Sequence, residues 1–137
     1  MEMTYGNVYV AQVSMGSNPG QVAKAMVEAA AYDGPALIIA YAHCINHGIN
    51  MLKGLEQQKL AVETGHFPLY RYNPETKTLT VDSKEPSKAF AEQAASENRF
   101  KQLAKLDPAK AEAMVAEADA RFKAKYELYK KLAEMNK

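Results

Sequence analysis

The apolar positions of this chain change rhythm near Ser83. Upstream of it, short apolar runs alternate with turn signals; downstream, Ala, Glu and Lys dominate and the apolar residues recur at helical spacing. Val8-Tyr9-Val10-Ala11-Gln12-Val13 is β-branched and nearly all apolar, which predicts a strand able to be buried on both faces. After the loop Ser14-Met15-Gly16-Ser17, Asn18 is a good N-cap, Pro19 suits the first helical position and Gln21 stands where a capping-box partner belongs. The helix should bury Val22, Met26, Ala29 and Ala30. Asp33-Gly34-Pro35 should end it, with the glycine in the left-handed C-terminal conformation. A second buried strand, 36–42, follows. Strand, helix and strand in this order predict a βαβ unit with parallel strands and a right-handed crossover. The loops 14–17 and 43–47 then share the carboxyl edge of the sheet, where open α/β sheets bind ligands.

Residues 51–64 read as a helix with Leu52, Leu55, Leu60 and Val62 available for packing. Residues 67–72 and 78–81 read as short strands around the turn Asn73–Lys77, and Pro68 suggests an edge position. Ser87 is placed to cap a helix through Leu106 that buries Phe90, Ala94, Phe100 and Leu103. Asp107-Pro108 should start a final helix with the stripe Val115, Ala118, Phe122, Tyr126, Tyr129 and Leu132. Two parallel strands and an edge hairpin are few for a sheet whose strands are this apolar. The expected fold class is therefore α/β: part of a doubly wound, Rossmann-like parallel sheet with a βαβ unit, a short edge hairpin and two C-terminal helices. Residues 1–83 are expected to be half of an α/β domain and 84–137 a helical extension.

Composition narrows the picture. Hydrophobic residues make up 47% of the 137, enough for a globular core. A formal net charge of +1 argues against a general nucleic-acid binder. No apolar run is long enough to span a bilayer and no secretory leader is visible. The single cysteine, Cys44, excludes an intrachain disulfide and fits a reducing, cytoplasmic setting.

The segment most able to carry chemistry is His43-Cys44-Ile45-Asn46-His47-Gly48, just past the second strand. Three roles are open to Cys44: a plain buried thiol, a metal ligand, or a nucleophile with a histidine as base. His43 and His47 make a zinc site conceivable, although the spacing does not give four ligands. A full iron–sulfur site takes four thiolates, of which this sequence offers one. There is no GxGxxG, Walker loop or GxSxG elbow. Arg71, between Tyr70 and Tyr72, reads as solvated; so do the turn Asp82-Ser83-Lys84-Glu85 and the Lys-rich stretch 123–137.

A collinear set of motifs adds a resemblance. Tyr5-Gly6-Asn7-Val8-Tyr9-Val10-Ala11, Val13-Ser14-Met15-Gly16, Gly34-Pro35-Ala36-Leu37-Ile38-Ile39-Ala40-Tyr41-Ala42, Cys44-Ile45-Asn46-His47-Gly48, Gln58-Lys59-Leu60-Ala61-Val62, Pro68-Leu69-Tyr70-Arg71-Tyr72-Asn73-Pro74 and Asp82-Ser83-Lys84-Glu85-Pro86 follow in order. Together they resemble the C-terminal part of pyruvate:ferredoxin (flavodoxin) oxidoreductase, or pyruvate synthase. The resemblance is strong to about Pro86 and weaker through the terminal helices. It implies that residues 1–83 are the C-terminal half of a thiamine-pyrophosphate-binding domain. It also implies that Cys44 is one ligand of the [4Fe–4S] cluster nearest the thiamine. The family's Gly-Asp-Gly thiamine and magnesium motif and the other three cluster cysteines have no counterpart among these residues.

The resemblance further implies a segment of an enzyme that converts pyruvate to acetyl-CoA and passes electrons through iron–sulfur clusters to ferredoxin or flavodoxin. The isolated chain is expected to be inactive and to hold no cofactor. The [4Fe–4S] cluster and the thiamine pyrophosphate with magnesium belong to the parent enzyme. Expected partners are the remainder of that enzyme or a second copy of the chain, with no nucleic acid and no membrane. The alternative is a stand-alone oligomerising or partner-binding module that has lost catalysis.

Overall fold

The computed structural model describes residues 1–135. Its elements are β1 (Tyr9–Val13), α1 (Pro19–Ala31), β2 (Ala36–Ala40), α2 (Gly54–Glu63), β3 (Tyr70–Asn73), β4 (Thr78–Val81), α3 (Phe90–Ser96), α4 (Asn98–Leu106) and α5 (Pro108–Met135). Short 3-10 turns lie at Glu2–Tyr5, Ile45–His47 and Met51–Lys53. The sheet runs β2-β1-β3-β4. β1 and β2 are parallel, with Tyr9 opposite Ala36 and Val13 opposite Ala40; β3 joins β1 antiparallel, and β4 joins β3 antiparallel. This is the mixed α/β architecture of a partial Rossmann-like fold, and the βαβ unit is present as read.

Caps explain where the helices begin. Asn18 Oδ1 accepts the Gln21 amide N–H at 3.0 Å and Pro19 opens α1, so this end forms as predicted. The Gln21 side chain does not complete a capping box. It turns into the sheet and donates to the Gln12 carbonyl and to Asp82 Oδ2. Asp107 likewise caps α5 through the Lys110 N–H at 3.0 Å. α3 lacks a cap of its own, and Ser87 does not supply one. The Asp119 carboxylate of α5 accepts the Phe90 N–H at 2.8 Å instead.

Several packing expectations are corrected. α1 buries Gln21, Val22 and Ala25 against Tyr9, Ala11 and Val13, while Met26 and Ala30 face outward. Val22 and Ala29 pack inward as expected, and Met26 and Ala30 do not, because the helix is turned to bury the face that carries its polar Gln21. α1 ends at Ala31 with Tyr32 extended, so Gly34 needs no left-handed conformation. The 51–64 helix begins at Gly54. It packs through Gln57, Gln58, Ala61 and Val62, leaving Leu52 96% exposed and Leu55 exposed too. The 87–106 helix breaks at Glu97 into α3 and α4, and Glu97 is itself fully buried.

The sheet is also ordered differently from expectation. β3 is internal, flanked by β1 and β4, because Pro68 precedes the strand and costs no ladder bond. β2 and β4 are the two edges, and none of the five residues of β2 is buried. α5 folds back across the other face, where Tyr129, Leu132 and Ala133 pack on Val10, Tyr70 and Leu79. Tyr126 Oη donates to the Ser83 carbonyl at 3.0 Å. The Lys-rich stretch is not uniformly solvated, since half-buried Lys125 donates to the His66 carbonyl at 2.9 Å. Its last two positions, 136 and 137, lie outside the described residues.

Candidate functional site at the carboxyl edge

The parallel pair β1 and β2 delivers two loops to one edge, and α2 lies against both. Gln58, buried on α2, joins them. Its Oε1 accepts the Gly16 N–H at 2.8 Å and the Ser14 hydroxyl at 3.4 Å, and its Nε2 lies 2.9 Å from His43 Nδ1. The approach of α2 to loop 14–17 requires glycine at position 16, where a Cβ would lie 2.8 Å from that of Gln58. Cys44 follows His43 as a free, half-buried thiol. Its carbonyl accepts the His47 N–H at 3.1 Å, which turns the chain through the 3-10 segment Ile45–His47. Gly48 closes that turn at φ 71° against Asn98, a place where both the left-handed backbone and the lack of space exclude a side chain.

The two flanking histidines diverge. His43 turns to Gln58, while His47 lines a mostly apolar cavity of about 450 Å³ with Tyr41, His66, Phe100 and Phe122. Among the described residues no three His, Cys, Asp or Glu side chains gather to hold a metal ion. His43, Cys44 and His47 do not form such a group in this structure.

A buried polar network lies behind the cavity wall at His66 and Arg99. Gln93, fully buried, accepts from Thr64 Oγ1 at 3.0 Å and lies 3.0 Å from His66 Nδ1 through Nε2. The same Nε2 donates to Glu97 at 3.1 Å, and Gln57 donates to Glu97 at 2.9 Å. Arg99 pairs with the other Glu97 oxygen. The His66 ring stacks on Phe122 with centroids 4.8 Å apart. Burial pushes its pKa below the usual histidine value, and the Gln93 hydrogen bond acts the other way.

Neither Arg71 nor Asp82 is solvated as read from sequence. Arg71 donates to both Asp82 oxygens, at 2.8 and 2.9 Å, and to Glu28 Oε1 at 2.6 Å, with its side chain 12% exposed. Tyr9 Oη donates to the remaining Glu28 oxygen at 2.8 Å. Burial pushes Glu28 up, but the hydrogen bonds from Arg71 and Tyr9 outweigh it and the net shift is downward. Burial and the Glu28 carboxylate together raise the Tyr9 hydroxyl well above its usual range. The apolar pattern gave no signal for these residues: it put the buried stripe of α1 at Val22, Met26, Ala29 and Ala30 and left Arg71 on the solvated side.

No family profile matches the chain. Individual proteins do. A pyruvate:ferredoxin oxidoreductase of Moorella thermoacetica is 50% identical over 98% of this chain. A pyruvate-flavodoxin oxidoreductase of a Nostoc species is 46% identical over 97%. A probable pyruvate-flavodoxin oxidoreductase of Escherichia coli is 39% identical over 96%. The chain spans only 12% of the length of each of these relatives.

Proposed function

We propose that this chain, homologous over nearly all its length to a segment of the pyruvate:ferredoxin and pyruvate-flavodoxin oxidoreductases, acts as a cluster-facing scaffold of such an enzyme, with Cys44 as one iron ligand. The observation that carries this is placement: a half-buried thiol on the carboxyl edge, directly after a parallel strand. A thiolate is the donor that an iron–sulfur cluster takes. One thiolate fits one of four ligand positions, so the other three would come from beyond these residues. Bound there, a [4Fe–4S] cluster would supply single-electron transfer.

The chain's own part is to hold the thiol. The parallel ladder fixes the end of β2, the 3-10 turn reverses the chain behind Cys44, and α2 seals both loops. Thiamine pyrophosphate with magnesium, pyruvate chemistry and a ferredoxin or flavodoxin acceptor would belong to the assembled enzyme, as would a cytoplasmic location. Residues 1–83 would complete the enzyme's thiamine-binding domain, with 84–137 as its helical extension. No helix is long and apolar enough to cross a membrane among the described residues.

The test co-produces the chain with the remainder of the enzyme and compares wild type with Cys44→Ser. Iron and sulfide per complex should fall by one [4Fe–4S] equivalent, and pyruvate-dependent dye reduction should be lost. Equal iron and sulfide in the two complexes would remove the ligand role. Retained assembly in the variant separates that role from a folding defect.

A further inference from the structure

We infer that Gln58 is a positioning residue for Cys44: it ties the cysteine loop to the loop after β1 and fixes the tautomer of His43. The backbone N–H of Gly16 can only donate, and it lies 2.8 Å from Gln58 Oε1. That contact sets the orientation of the amide, with oxygen toward Gly16 and nitrogen toward His43 Nδ1 at 2.9 Å. An amide nitrogen carries hydrogens and no acceptor site, so Nδ1 must accept and the ring proton sits on Nε2.

The other side of the imidazole rests on Gly54, where any Cβ would collide with the ring. His43 is thus held by an amide on one edge and by helix backbone on the other. The residue bonded to it is Cys44. A single buried side chain therefore sets the distance between the two carboxyl-edge loops and the direction in which the thiol loop leaves β2. The purpose of this arrangement rests on the proposed ligand role of Cys44; the geometry does not.

Two measurements on the full chain test it. The first is the imidazole nitrogen chemical shifts of His43. In the wild type Nδ1 should show the shift of an unprotonated, accepting nitrogen, and in Gln58→Ala the ring should relax to a mixture of tautomers. The second is the rate at which a maleimide labels Cys44. It should rise roughly fivefold in Gln58→Ala, the population change expected from losing one net hydrogen bond. Gly54→Ala should give a comparable rise by displacing the ring while leaving Gln58 in place. A wild-type ring protonated at Nδ1 would overturn the inference. So would labelling rates unchanged in both variants when circular dichroism shows them folded. If Gln58→Ala does not fold, the wild-type shifts and Gly54→Ala still decide. Both readouts are independent of iron, so a Cys44→Ser complex that keeps its full cluster would sink the ligand role and leave the positioning role standing.

Discussion

β2 and β3 flank the same central strand and are composed in opposite ways. β2 is Ala-Leu-Ile-Ile-Ala, wholly apolar, yet none of its residues is buried and Ile39 is 36% exposed. β3 is Tyr-Arg-Tyr-Asn, yet Tyr70 is buried and Arg71 is nearly so. The difference is partners. β3 has β1 and β4 on its edges, α5 over one face, and the Glu28 and Asp82 carboxylates on the other. β2 has one neighbour and α1 over one face. Apolar content shows what a strand can bury; whether it does so depends on what lies against it. An all-apolar edge strand is a surface available to a neighbour, and assembly into a larger enzyme, as proposed, would give β2 one.

The largest effect should come from breaking the polar face of β3. Arg71→Ala leaves two partly buried carboxylates facing each other without their cation. Loss of about 3 kcal/mol of folding stability is expected, near the lower end for breaking a buried ion pair. Urea unfolding measures it. A loss under about 0.5 kcal/mol, typical of surface positions, would show the triad to be solvated after all, and the contrast with β2 would collapse.

Much of this was legible in the sequence, and the parts that were not share a cause. β1, the parallel crossover and the caps at Asn18 and Asp107 are set by local residues, and they appear where the pattern put them. The location of the Cys44 loop followed from the same local logic. Apolar positions such as Val22, Val62, Phe90, Ala94 and Tyr126 are buried as read; what failed was the assumption that polar positions stay out and leucines go in. Leu52 and Leu55 are exposed while Gln57 and Gln58 on the same helical segment are buried. Those amides can go inside because each finds hydrogen-bond partners on a distant segment, Ser14 and Gly16 for one, Ser96 and Glu97 for the other. Periodicity carries no information about such partners. The break at Glu97 was hidden for the same reason, since its carboxylate is buried against Gln57 and Gln93.

A smaller effect should come from His66, on the covered side of the molecule. Burial lowers its pKa, so folding favours the uncharged ring. The unfolded chain, with a pKa near the ordinary 6.5, binds a proton more readily. Stability is then unaffected above that value and falls as pH drops from about 6.5 toward the folded pKa. The groups facing the ring are Lys125 and Phe122 from α5, Gln93 and Phe90 from α3 and Tyr41 after β2, with Glu97 and Arg99 farther off. His66→Phe keeps the stacking and removes the proton site, so its stability should be flat over the interval in which wild type declines. Glu28 does not mimic this, because its lowered pKa places its titration at more acidic pH. An unchanged acid decline in His66→Phe would assign the decline to another group.

The smallest effect on the chain alone should come from Ile39→Lys, and it bears most directly on the contrast between the strands. Ile39 and Leu37 project from the face opposite α1, where α5 covers the β3 and β4 end of the sheet but leaves Ile39 exposed. A lysine there keeps its charge in water, so folding stability should change by no more than about 0.5 kcal/mol. In the assembled enzyme the same charge would face an apolar neighbour with no partner, a costly burial that should weaken association with the remainder of the protein. Urea unfolding of the chain and co-purification with the remainder give the two readings. Normal stability with lost association is the signature of a strand built to be covered by something else. A destabilisation of about 2 kcal/mol or more in the chain by itself would mean that β2 already contributes to a core, in the range of mutations that disturb buried positions. Undisturbed association would mean that the remainder of the enzyme does not cover this edge, and the exposure of β2 would need another cause.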